Sequence, residues 1–322
     1  MAIFDVFNGD ADGLCALHQL RLSEPCETTL ITGVKRDIDL LKRVEAGAGD
    51  QITVLDLSLD KNRSALLELL PRGVWVQYFD HHYPGDIPEH PLFDAHIETL
   101  PDKGTSLLVD DYLQGAQRAW AVVGTFGDNF DAAAFRAAAP LGLSEANLAL
   151  LRELGILLNY NGYGATVQDL HFDPEALFRR IQPYADPLAF IQSDDTFATL
   201  RDGYQRDMAN ARAIVPERST DSHAVVLLPA EPWARRVSGV YANELAQAAP
   251  HRAHAMLTSL PDGGYVVSVR APIAVGVGAD VLCRQFATGG GRKAAAGINQ
   301  LPESELSRFI DAMARSFATQ SG

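Results

Sequence analysis

The sequence predicts an α/β protein with an N-terminal open, mostly parallel sheet flanked by helices and a smaller C-terminal α/β domain. Three observations lead there. Apolar, β-branched runs alternate with helical patterns through the first half of the chain. Those runs are almost continuously hydrophobic, as strands covered on both faces are. Acidic residues and histidines gather directly after the runs rather than inside them.

In order, IFDVF (3–7), TLITG (29–33), ITVLDL (52–57) and VWVQYF (74–79) read as buried strands. Residues 13–22, 37–45 and 61–70 between them read as helices, with Asp37 and Asp60 as caps or first-turn acids. From 104 to 160 the chain reads mainly helical, and 175–181 and 202–213 suggest two more helices. Residues 183–222 read as a connecting region with one exposed helix. Beyond it, HAVVLL, AHAMLTSL, GYVVSVRA and AAAGIN read as strands, with helices near 240–249, 279–287 and 302–318. No repeat, low-complexity tract or heptad pattern interrupts this order.

The 322 residues suffice for two ordinary domains, placed at 1–182 and 223–322 on either side of the connecting region 183–222. The formal net charge of -14 argues against an extended track for long duplex or single-stranded nucleic acid, and suits a small anionic substrate held by a few local bases beside metal. It is equally the charge of a protein merely kept soluble. No apolar stretch is long enough to span a membrane. The start has no basic leader, so a secretory signal is not expected and a cytoplasmic location is. Cys15, Cys26 and Cys283 form no CxxC, which removes a disulfide framework and a structural zinc site. Trp75, Trp120 and Trp233 make no evident stacking platform, and no base contact is assigned to them.

In an open α/β sheet, ligands bind beyond the carboxyl ends of the strands. There lie Asp10 and Asp12 after the first strand, Asp56 at the end of the third, and Asp80, His81 and His82 after the fourth. Carboxylates mixed with imidazole are the donor set of Mn²⁺, Mg²⁺ or a related divalent ion. Asp10 and Asp12, two apart between glycines, can converge in a tight turn, although Asp12 has a second reading as a helix cap. Asp56 alone also reads as a turn former, and the adjacent histidines as a surface loop. Asp128 ends another apolar run, "VVGTFGDN", with Asp131 a competitor three residues on. The candidates are numerous enough for two cations, which would acidify a shared water and neutralise phosphoryl oxygens.

With these residues assembled, the chain resembles the DHH phosphoesterase family over nearly its whole length, particularly members with the associated DHHA1 domain. "GDADG" is similar to the family's first motif, Asp56 in "VLDLS" to its second, "DHH" at 80–82 to its third, and "GTFGD" ending in Asp128 to its fourth. "VSVRA" (267–271) and "GGGRKAAAG" (289–297) resemble the substrate-binding elements of the second domain. The resemblance implies a phosphodiesterase or phosphomonoesterase with two divalent cations, Mn²⁺ foremost and Mg²⁺ or Co²⁺ as substitutes, cleaving between the domains. It implies Asp10, Asp12, Asp56, His81 and Asp128 as ligands, with Asp56 bridging. Asp80 would orient His81, as carboxylates often orient metal-bound imidazole, and His82 would contact the phosphoryl group. Arg270, Gly289, Gly290, Gly291, Arg292 and Lys293 would bind substrate phosphate; Arg284 is assigned either to packing or to solvent.

Two positions depart from the family pattern. No His precedes Asp10, and Asn8 stands where an Asp is usual, so Asn8 is expected as a neutral ligand to a weaker metal position. Arg292 replaces the His of the glycine-rich motif; with Lys293 it retains phosphate-binding chemistry, and a solvent-facing turn is its bland alternative. The expected substrate is a nucleotide or very short oligonucleotide: an oligonucleotide end, or a linear or cyclic dinucleotide. A nucleoside bisphosphate monoester or polyphosphate is the alternative within the class, and a nucleotide sensor with a degraded metal position the alternative outside it.

Overall fold

The computed structural model describes residues 1–317, which divide into two compact units, one from Met1 to Gly203 and one from Tyr204 onward. The first unit opens with β1 (Ile3–Phe7), α1 (Ala11–Ser23) and β2 (Thr29–Ile31), then β3 (Gln51–Leu55), α2 (Leu59–Leu69), β4 (Trp75–Asp80) and β5 (Phe93–Ile97). Helices follow: α3 (Thr105–Tyr112), α4 (Arg118–Gly127), α5 (Asp131–Ala138), α6 (Glu145–Gly162), α7 (Pro174–Ile181) and α8 (Pro187–Ser193), and then α9 (Thr196–Arg212), which begins in this unit and continues past Gly203. The sheet has five strands in the order β2-β1-β3-β4-β5, all parallel.

Both faces of this sheet are covered, and this explains its nearly unbroken apolar runs. On one face Val6, Ile52, Val54, Val76 and Tyr78 pack against Leu59, Leu66 and Leu69 of α2 and against Leu40, Leu41 and Val44. Each such leucine withdrawn from water contributes roughly 1.5–3 kcal/mol before entropy is charged against it. On the other face α1 is buried from Ala11 to Leu20 and packs on α3 and α4, with α6 behind α4. A helix buried all round needs no polar stripe.

Three expectations change. Residues 37–45 form only a 3₁₀ turn at Leu40–Arg43. There Asn62 of α2 donates to Ile38 O over 2.7 Å and accepts from Leu41 N over 3.1 Å, meeting backbone needs that a helix would otherwise meet. Asp37 faces Arg43 instead of capping, whereas Asp60 does lie in the first turn of α2. The edge strand β5 has no counterpart in the sequence reading; its FDAHI is largely half-buried and follows a Pro-rich polar stretch. Residues 183–222 hold α8 and α9 rather than one exposed helix, and Phe190, Phe197, Leu200 and Met208 are buried.

The second unit contains β6 (Arg218–Ser219), β7 (His223–Leu228), α10 (Pro232–Ala248), β8 (Ala253–Ser259), β9 (Tyr265–Arg270), α11 (Ala279–Cys283), β10 (Gly289–Gly291), β11 (Ala295–Leu301) and α12 (Leu306–Phe317). Its six strands run β10-β11-β9-β8-β7-β6; only β7 and β8 are parallel. Phe309, Met313 and Phe317 of α12 pack with Val225, Leu257 and Val267 on one sheet face. Among the described residues, no helix is long and apolar enough to cross a membrane.

Candidate metal centre

Parallel strands end together, so β1, β3 and β4 deliver their following residues to one rim of the first unit. Asp10 caps α1: its Oδ1 accepts from Asp12 N and Gly13 N, each over 3.1 Å. The cap is therefore Asp10, not Asp12. Asp12 lies in the first turn, and its carboxylate receives Thr105 N (2.7 Å) and Ser106 N (2.8 Å) from the start of α3. Gly104 permits that approach, since a Cβ there would sit 2.7 Å from Asp12 Oδ2. Asp56 leaves β3 in left-handed backbone, φ 59°, uncommon outside glycine and a conformation that persists only when its surroundings impose it. Asp56 N donates to Phe79 O and its Oδ1 accepts from Thr105 Oγ1, both over 3.0 Å.

His81 is where these carboxylates meet. Its Nε2 lies 3.4 Å from Asp56 Oδ1, 3.6 Å from Asp128 Oδ2 and 4.0 Å from Asp12 Oδ2. Phe130 packs edge-on to its ring at 5.9 Å. Among the described residues, two overlapping groups of side chains could hold a divalent cation: Asp12, His81 and Asp128, and Asp56, His81 and His82. Asp131 is not part of either; it forms a surface ion pair with Arg152 at 2.9 Å.

Asp80 orients a different imidazole from the one expected. The resemblance assigns it to His81, but its Oδ1 lies 2.7 Å from His82 Nδ1. The two rings lie against each other, 4.4 Å between centroids, and the one that turns its Nδ1 to Asp80 is that of His82.

Asp10 is in neither group. Its Oδ2 is ion-paired with Lys35, whose ammonium also reaches Asn159 Oδ1 at 3.0 Å and Asp128 Oδ1 at 3.3 Å. Asn8 donates to Lys35 O over 3.2 Å, and its Oδ1, buried, has no hydrogen-bond partner.

The electrostatics follow from crowding buried acids. Burial, then the charges of Asp10 and Asp12, push the Asp56 carboxyl well above its ordinary range. Burial, offset in part by Lys35 and reinforced by Asp12 and Asp10, raises Asp128 to about 6. Burial also acts to raise Asp10, but Lys35 and the Gly13 N–H outweigh it and bring its pKa below the usual value. For the imidazoles burial acts downward and the carboxylates upward. Asp56 and Asp12 win at His81, raised to about 10, and Asp80 and Asp56 at His82, raised to about 9. The rim thus holds an excess of negative charge, which favours protons on Asp56, Asp128, His81 and His82 while Lys35 keeps Asp10 ionised. Hard oxygen donors, imidazole and the partnerless Asn8 Oδ1 fit a divalent cation.

In the second unit Arg270 ends β9 opposite Ala295 of β11 and donates from Nε to Asn243 Oδ1 over 2.7 Å. The pairing brings the β10–β11 hairpin beside it: Gly291 opposes Ala296, and Arg292 N donates to Ala295 O over 2.9 Å. Gly291 has φ 135°, and a Cβ there would lie 2.5 Å from Ala296 Cα. Arg292 and Lys293 are exposed at the turn. A cavity of about 320 Å³ is lined by Asn243, Arg270, Ile273 and Ala295. Arg284 lies apart from that cavity's lining, 3.8 Å from Asp280 one turn back.

Fold and rim together define a DHH-type fold with a DHHA1-like second unit. An exonuclease RecJ bound to manganese is similar over 98% of this chain and 90% of its own, at 19% identity and a TM-score of 0.65. The DHH domain of a member of a family of ribosomal proteins matches 98% of this chain and 86% of its own at 14% identity, TM-score 0.66. A pGpG-specific phosphodiesterase from Vibrio cholerae matches 98% and 99% at 15% identity, TM-score 0.60. No family model and no curated protein sequence matches the chain.

Sequence reasoning missed Lys35, Thr105 and Asn159. Lys35 follows the second strand and so belongs to the same rim, which was the available signal. Thr105 follows Gly104 at a helix start, where backbone N–H groups attract carboxylates.

Proposed function

We propose that the chain is a divalent-metal-dependent phosphoesterase that hydrolyses short phosphodiesters, such as oligonucleotide ends or linear and cyclic dinucleotides. The observation carrying this reading is the convergence of Asp12, Asp56 and Asp128 within 3.4–4.0 Å of His81 Nε2 at the carboxyl rim of a parallel sheet. Asp12, Asp56, His81 and Asp128 would hold the cations, with Asn8 and Asp10 as further oxygen donors. Mn²⁺ suits this mixture of carboxylate and imidazole. When bound, the cations supply an acidified water and neutralise charge on phosphoryl oxygens.

The remaining work falls to the protein's own groups. His82, its Nδ1 tied to Asp80, keeps its other ring nitrogen for a phosphoryl oxygen. In the second unit, Arg270, Arg292 and Lys293 with the backbone of Gly289, Gly290 and Gly291 would bind phosphate. Their small number suits a short anion, and the net charge of -14 disfavours a long nucleic acid. Three free cysteines suit a reducing cytoplasm.

An Mn²⁺-activated panel tests the proposal: a linear dinucleotide, a cyclic dinucleotide, 3′-phosphoadenosine 5′-phosphate, tripolyphosphate and a long single strand. Turnover of a dinucleotide is expected. Turnover confined to the bisphosphate or polyphosphate would replace the diester assignment, and binding without turnover would leave a sensor.

A further inference from the structure

We propose that Lys35 occupies a cation position of this site, so that the chain takes up divalent metal in unequal steps: first around His81, and around Asp10 only by displacing Lys35. The inference rests on the metal-dependent reading above and adds to it an order of loading.

The ammonium of Lys35 stands among Asp10, Asp128 and Asn159, three oxygen-bearing side chains drawn from the two ends of the α1 and α4 segments and from α6. That is the oxygen environment a hard cation requires. Its place is fixed by the backbone as well. Lys35 N donates to Gly162 O over 2.8 Å, Lys35 O accepts from Asn8, and the ammonium lies 5.6 Å from the centre of the Tyr163 ring. By contrast, neither group around His81 includes Asp10. Asp128 serves both places, turning Oδ2 to His81 and Oδ1 to the lysine.

Asn8 points the same way independently. It is buried beside this lysine and offers a neutral oxygen where a carboxylate would add charge. One fewer negative charge and one more positive charge both weaken attraction for a second divalent ion, and at short range inside a protein each such change is large. Bringing an ion to Asp10 requires moving the ammonium out and leaving Lys35 to find another partner. Bringing one to the Asp56, His81 and His82 group displaces no ammonium.

The test is metal stoichiometry, not activity. Mn²⁺ would be titrated into full-length apoprotein by equilibrium dialysis with metal analysis, and followed by electron paramagnetic resonance, beside Lys35→Met. Wild type should bind one Mn²⁺ with the six-line spectrum of an isolated ion and a second at least about tenfold more weakly. Lys35→Met should close that gap by about tenfold and give a spin-coupled spectrum at two equivalents. Lys35→Gln serves if the methionine variant does not fold. Two equal sites in wild type would overturn the inference while leaving the metal reading standing, as would unequal sites unchanged in both variants. No specific uptake by wild type, even with inorganic phosphate present, would overturn both.

Discussion

Thr105 Oγ1 donates to Asp56 Oδ1 over 3.0 Å, while the Thr105 N–H donates to Asp12. One residue at the start of α3 thus holds two carboxylates from different strand ends. Since Asp56 stands in left-handed backbone, its carboxylate direction depends on such outside support. Thr105→Val keeps the side-chain shape and the backbone N–H but deletes the hydroxyl. It should raise the Mn²⁺ concentration needed for half-maximal activity by about tenfold, and Thr105→Ser should restore it. A valine variant with unchanged metal dependence would show the contact to be idle.

Asp56 separates function from stability. Its buried carboxyl is pushed up by burial and by Asp10 and Asp12, so the charged form is disfavoured without a cation. Asn fits the same backbone, since it tolerates positive φ. Asp56→Asn should therefore raise the melting temperature of metal-free protein while lowering turnover by about 100-fold or more. Parallel thermal denaturation and Mn²⁺-dependent assays check both halves; a lower melting temperature would contradict the electrostatic account.

The sheet and the rim were legible because their causes are local. Buried strands announce themselves by composition, and strand ends carrying Asp and His fall on one rim by the geometry of parallel pairing. What was not legible depends on distant partners. Lys35 meets Asp128 and Asn159 across 93 and 124 residues, and no spacing encodes that. The turn at 40–43 follows from Asn62, a side chain on the next helix. Whether Asp80 reaches His81 or His82 is a matter of side-chain direction at the end of β4, where motif order says nothing.

The Asp80–His82 contact gives a prediction specific to positioning. Asp80 is buried and tied to His82 Nδ1 at 2.7 Å, so Asp80→Asn should leave the ring in place less firmly and with weaker support for its charge. Under the proposed function, kcat should fall by about tenfold or more, while Mn²⁺ uptake measured by metal analysis stays near wild type. Lost uptake would instead return Asp80 to orienting His81.

The glycine hairpin of the second unit divides into residues that shape it and residues that use it. Arg292 and Lys293 are exposed, so replacing both with alanine should raise KM for a dinucleotide by about tenfold with little change in melting temperature. Gly291→Ala should lower the melting temperature, because its φ of 135° and the 2.5 Å approach to Ala296 leave no room for Cβ. An unchanged KM in the double variant would remove these bases from substrate binding.

His18 makes the first unit sensitive to acid without involving the rim. It is fully buried on α1, donates from Nε2 to Tyr184 O over 2.8 Å, and packs edge-on to Trp120 at 4.7 Å. Burial, only partly offset by the Tyr184 carbonyl, lowers its pKa from 6.5 to about 4. The unfolded chain therefore binds a proton that the folded chain refuses. The resulting stability is fully present above pH 6.5 and is lost as pH falls through 6.5 toward about 4. The shift corresponds to about 3 kcal/mol at most. His18→Leu should cost stability near neutral pH, where the hydrogen bond is lost. It should also flatten the decline in urea-denaturation free energy as pH falls from 6.5 toward about 4, and an equally steep decline in the variant would place the acid sensitivity elsewhere.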